Sequence, residues 1–203
     1  MNRESIGLIS GIIVAVSIIP YAIRTYQGKI HPNPTSWTLW TIIGLALLLT
    51  YRSSGAEANV WPAVFGFVNV LLITILLIKN REAWKKWETF EKACFAFGLV
   101  SLAMWLYTHD NEGLVQYALY IAILADTCAA IPTLTFVWRF PEKDRPFAWG
   151  LFALGYGLSI FAISEHTVAN YALPLWVLFG SFFITLPLIL HRVRHRVPLK
   201  DWI

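Results

Sequence analysis

Charge is what this chain has least of. Only 14% of its 203 residues are Asp, Glu, Lys or Arg and 57% are hydrophobic, whereas soluble domains carry about 25% charged and about 45–50% apolar residues. That balance excludes a soluble globular fold. Cysteine is scarce too. Cys94 and Cys128 both fall in apolar stretches, with neither the spacing of a metal site nor that of a disulfide framework. The GxxxxGKS/T phosphate loop, the GxSxG elbow and the HExxH zinc motif are all missing, so no cofactor and no metal is implied. Nor does a small-residue cleavage site follow the first apolar run. Only Arg3 precedes that run, which reads as a retained helix.

What remains is apolar sequence in blocks. Seven segments follow from hydropathy, at about 5–26, 36–51, 60–78, 93–107, 114–138, 147–163 and 168–190. Seven spans of ~20 residues leave no room for a sizeable soluble domain. The stretch from Lys79 to Lys92 mixes Trp84, Trp87 and Phe90 with Lys85, Lys86, Glu88 and Glu91, and reads as an amphipathic segment at headgroup level. On a seven-span plan only Arg3 and Arg52, of sixteen basic residues, lie on the amino-terminal side. The positive-inside bias therefore predicts the amino terminus outside and the carboxyl terminus in the cytoplasm. The same charge makes nucleic acid an unneeded partner, because the basic residues sit between apolar runs.

A shift of 112 residues brings Pro20 onto Pro132, Pro34 onto Pro146, Pro62 onto Pro174 and Trp37 onto Trp149. Proline fixes φ and removes a backbone donor, so its placement has structural meaning. The register predicts an all-α membrane protein of seven helices: two parallel three-helix repeats (1–79 and 111–191) joined by an amphipathic loop and linker helix (80–110), then a basic tail (192–203). Pro20 and Pro132 lie inside apolar runs, where they free the carbonyls of Val16 and Cys128; they are the predicted hinges. In such 3+1+3 folds the site lies near the midplane between the halves.

With that plan, an outside amino terminus and a proline near the cytoplasmic end of the first helix of each half, the chain resembles the SWEET and PQ-loop transporters, as a divergent bacterial-type member. The Pro-Gln pair itself is absent, since Tyr21 follows Pro20 and Thr133 follows Pro132. The resemblance implies a secondary transporter in a bacterial inner membrane that moves a small polar organic solute by alternating access, with proton coupling as an option and without enzymatic activity. Its partners would be the solute and the lipid bilayer, and a homo-oligomer fits the same fold. Two alternatives share the plan. One is a vitamin facilitator like the nicotinamide riboside transporters, whose WxxW spacing is matched by Trp37 and Trp40. The other is a receptor that binds its ligand without moving it.

Few side chains offer chemistry. Asp126 lies about 12 residues into the fifth segment, ~18 Å along a helix, and an ionisable group at such depth faces an interior or a water-filled path. It is the candidate for proton or cation coupling. Asn69, mid-span, and its repeat counterpart Ser181 are candidate substrate ligands, since an amide offers both donors and acceptors. Trp40, Phe152 and Trp176 lie deep enough to stack on a solute. Trp37, Trp61, Trp84, Trp87, Trp138, Trp149 and Trp202 fall near span ends, as interfacial belts do. His31, His109, His166, His191 and His195 lie in loops or the tail, without metal-pair spacing inside a span. One intramembrane acid with no facing His, Ser or Lys predicts that the chain is not an enzyme.

Overall fold

The computed structural model describes residues 2–28, 34–81 and 87–202, and among these the regular structure is entirely helical. Helix α1 (Arg3–Ser17) starts on Asn2, whose side chain accepts the Ser5 N–H at 2.9 Å, an N-cap that satisfies an otherwise orphan donor. The first apolar run then breaks. Ile18 turns its N–H to Val16 O, and α2 (Ile19–Tyr26) continues with Pro20 in its first turn. Helix α3 (Pro34–Ser53) also opens on proline, which costs nothing at that position. A 3₁₀ turn (Ala58–Val60) leads into α4 (Trp61–Lys79).

Helix α5 (Thr89–Thr108) starts four residues before the predicted 93. The cause is a capping box in which Glu88 and Glu91 exchange side-chain and backbone bonds. Trp84, Lys85 and Lys86 of the predicted amphipathic segment lie outside the described residues, as do Lys29 and His31. Helix α6 (Glu112–Arg139) is continuous through Pro132. Helix α7 (Pro146–Ser159) runs into a 3₁₀ turn (Ile160–Ala162), and α8 (Val168–Arg194) contains Pro174 and Pro187.

Five of these helical stretches are long and apolar enough to cross a membrane: Arg3–Tyr26, Ala58–Lys79, Thr89–Thr108, Gly113–Arg139 and Val168–Arg194. The second and sixth predicted segments are helices outside that class. Helix α3 is diluted by Thr, Ser and Trp, and Pro146–Ala162 is short. Polarity is inverted relative to a soluble domain. Ile12, Ile23, Phe161, Phe183 and Val193 stand exposed, while Ser10, Ser17, Thr50, Ser101 and Ser159 are buried. Most of these inner hydroxyls bond back to a carbonyl of their own helix, as Ser10 does to Gly7 O at 2.6 Å and Thr50 to Ala46 O at 2.6 Å, so that no donor is stranded.

Helix α1 packs on α4 and α7; α3 on α4, α5 and α6; α6 also on α5 and α8; and α7 on α8. Small residues set the closest approach. A Cβ at Gly155 would fall 2.6 Å from Val14 Cγ2 and 2.8 Å from Ser10 O, so α7 meets α1 there without a side chain between them. The core includes Val14, Ile43, Tyr51, Leu119, Ala122 and Leu173.

Helix α8's prolines shape two further contacts. Pro174 leaves Asn170 O without its helical donor, and the Tyr51 hydroxyl of α3 donates to that oxygen at 2.9 Å. Pro187 does the same to Phe183 O, which receives the Trp138 indole N–H of α6 at 3.1 Å. In both cases a neighbouring helix replaces the lost intrahelical bond. Helix α8 extends through Arg194, past the predicted start of the tail. Arg192 is 5% exposed and donates to Asp144 O at 2.5 Å, Pro141 O at 3.2 Å and Leu188 O at 3.3 Å, so it fastens the α6–α7 turn.

Candidate functional site

Asp126 sits midway along the 28-residue α6 and is half-buried. Trp176 of α8 donates its indole N–H to Asp126 Oδ2 at 2.8 Å. Two of the deep residues singled out by sequence are thus directly bonded. Among the described residues no basic side chain pairs with this carboxylate, and only the indole bonds to it. Tyr156 of α7, buried, lies within electrostatic range of Asp126. Phe152 stacks on Tyr156 with ring centroids 6.1 Å apart, one helical turn away on the same face. Gly66 of α4 packs against this pair, because a Cβ there would lie 3.0 Å from Tyr156 Oη and 3.9 Å from Phe152. The hydrogen bond thus joins α6 to α8, and the Phe152–Tyr156 pair of α7 is packed on α4.

The other candidates are placed elsewhere. Asn69 is 3% exposed and gives its amide to Val14 O at 2.8 Å. That carbonyl also accepts Ser17 Oγ at 2.6 Å; the Ile18 N–H that would have filled it in a straight helix has turned to Val16 O. Asn69 is thus committed to the α1–α2 break. Ser181 is buried in α8, and its carbonyl accepts Thr185 Oγ1 at 2.7 Å. Trp40 lines a cavity of about 90 Å³ with Ser36, Glu91, Cys94, Pro132 and Thr133, and meets Trp37 edge-on at 5.6 Å. Pro20 stands at a real break, whereas Pro132 lies in an unbroken helix.

Sequence reasoning passed over Tyr156, although its spacing of four from Phe152 was a signal. It also passed over Tyr51, which is fully buried, donates to Asn170 O and accepts Asn59 Nδ2 at 2.5 Å. Beside this junction Ser164 donates to Glu57 Oε2 at 2.8 Å. A polar cavity of about 390 Å³ opens there, lined by Arg52, Ser53, Glu57, His109, Asp110 and Glu165. At the opposite end Arg145 is held below the ordinary arginine range by burial and by the Arg24 guanidinium, with Asp201 opposing the shift.

No family model matches the chain, and no solved structure does. It is 20% identical, over a 177-residue alignment, to a phosphatidylethanolamine N-methyltransferase of Podospora anserina; the alignment takes in 74% of this chain and 19% of that protein. The chain thus spans about a fifth of the length of the curated relative it matches. This corrects the expectation that the chain is not an enzyme, because the protein it matches is one. A missing His, Ser or Lys partner was too narrow a ground, since holding two reactants in line supplies much of a group-transfer barrier without such a partner.

Proposed function

We propose that the chain is a secondary transporter of a small polar organic solute, built as two parallel three-helix repeats around the Asp126 site. The observation that carries this reading is the bond between Asp126 and Trp176. It joins α6 to α8 at mid-helix, holds one carboxylate oxygen and leaves the other to a solute or a proton. Helix pairing supports the two-repeat plan. Under the 112-residue shift α1, α3 and α4 correspond to α6, α7 and α8. The pairs α1–α4, α3–α4 and α1–α7 then become α6–α8, α7–α8 and α6–α3, all of which are in contact. On this plan the SWEET and PQ-loop resemblance holds, the amino terminus lies outside, and the membrane is a bacterial inner membrane. Phe152, Tyr156 and Trp176 face the solute, and Asn69 holds the α1–α2 joint.

Uptake into proteoliposomes tests the reading. The wild-type chain accumulates solute faster under an imposed pH gradient, and Asp126→Asn loses that acceleration while still folding. Unchanged pH-gradient dependence in Asp126→Asn overturns coupling through this residue.

A second reading rests on the similarity to the methyltransferase: group transfer to an amine-bearing lipid at the membrane. Purified protein incubated with phosphatidylethanolamine and a radiolabelled methyl donor distinguishes the two. Label appearing in the lipid favours the enzyme; solute flux without labelling favours transport.

A further inference from the structure

We infer that the solute is an organic cation, an alkylammonium compound held between the Asp126 carboxylate and the rings of Phe152, Tyr156 and Trp176; this rests on the transport reading. Three observations converge. The site carries one acid and, among the described residues, no paired base. Its walls are aromatic: Phe152 and Tyr156 stack at 6.1 Å, and Trp176 is locked to the acid at 2.8 Å. Its neutral hydrogen-bonding groups are few: the Trp176 N–H is already given to Asp126, which leaves the Tyr156 hydroxyl.

The classes of solute separate on this chemistry. An anion is repelled by the carboxylate. A sugar or other polyol brings many hydroxyls that each need a partner, and every one left unpaired away from water costs free energy. An alkylammonium group needs only what the site holds. Its charge faces the free carboxylate oxygen, and its polarised C–H or N–H groups lie on ring faces, the arrangement that binds quaternary ammonium ligands elsewhere. Trp176 acts here as a positioning residue. Its donated bond fixes the carboxylate plane and leaves the opposite oxygen for the cation. Gly66 lets the Tyr156 hydroxyl pack directly against α4, since a Cβ there would crowd it at 3.0 Å.

The test uses the purified full chain in detergent, with tritiated choline as the probe and dimethylbutanol, its uncharged carbon isostere, as competitor. Choline is expected to bind saturably, with dimethylbutanol competing at least about tenfold more weakly. Asp126→Asn should lower choline affinity by at least the same factor. Equal competition by the isostere overturns the inference on the wild-type chain, whatever the variant does. So does unchanged choline affinity in Asp126→Asn, or the absence of saturable binding. The outcome separates from that of the transport reading. Flux of a neutral solute with no choline binding defeats the solute class alone, and choline binding with no flux of any solute defeats transport alone.

Discussion

At the scale of single residues, Asn69 and Asp126 are both polar groups in apolar helices, yet their neighbours give them opposite character. Asn69 spends its donor on a backbone carbonyl that the break after Ser17 leaves short of its helical partner. Asn69→Leu should therefore lower stability by about 0.6–1.7 kcal/mol, the range of such interhelical bonds, seen as a lower apparent Tm in detergent with solute affinity unchanged. Asp126 bonds to a side chain and, among the described residues, keeps an oxygen free of protein donors. The depth of Asp126 and Trp176 was legible in the sequence, because a carboxylate or an indole far inside an apolar run declares itself. Their contact was not, since they lie fifty residues apart and local periodicity says nothing about which helices are neighbours. The bond that Asn69 makes was hidden for a related reason. Its amide was visible, but the Val14 carbonyl loses its Ile18 N–H only once α1 has broken.

Helices were legible where hydropathy and caps agree. All seven predicted segments fall on helices, and the start of α5 was missed because its cap is built from two glutamates that look like loop sequence. Proline was less transparent. Pro20 accompanies a break, while Pro132 sits in a helix that stays whole. Packing accounts for the difference: α6 is gripped by α3, α5 and α8, whereas α2 rests chiefly on α4. Small residues divide in the same manner. Gly155 has no room for a Cβ between α7 and α1, and Gly180 in α8 has nothing within 4 Å of one. Gly155→Val should cost about 1–3 kcal/mol through overpacking. Gly180→Ala should gain about 0.4–1 kcal/mol by restricting the unfolded chain. Paired thermal denaturation in one detergent reads both signs, and a destabilised Gly180→Ala would mean that α8 has a close neighbour at that point.

Across the whole molecule, the junction at Tyr51 joins α3, the turn before α4 and the start of α8 through one hydroxyl. Tyr51→Phe strands an acceptor and a donor in a buried place, at a cost of about 1–3 kcal/mol. The expected readout is faster hydrogen exchange at residues 165–170, with the mid-helix bond between Asp126 and Trp176 unaffected; equal exchange in both proteins would show that the junction adds nothing to closure. The two prolines of α8 bear on this as a matter of descent. Each leaves a carbonyl vacant on its own helix, and that vacancy is filled by a donor from another, Tyr51 for Pro174 and Trp138 for Pro187. Loss of the donor alone leaves a bare carbonyl, and loss of the proline alone returns the carbonyl to its helix and idles the donor. Each proline and its distant donor are thus one unit of inheritance written at two places in the chain.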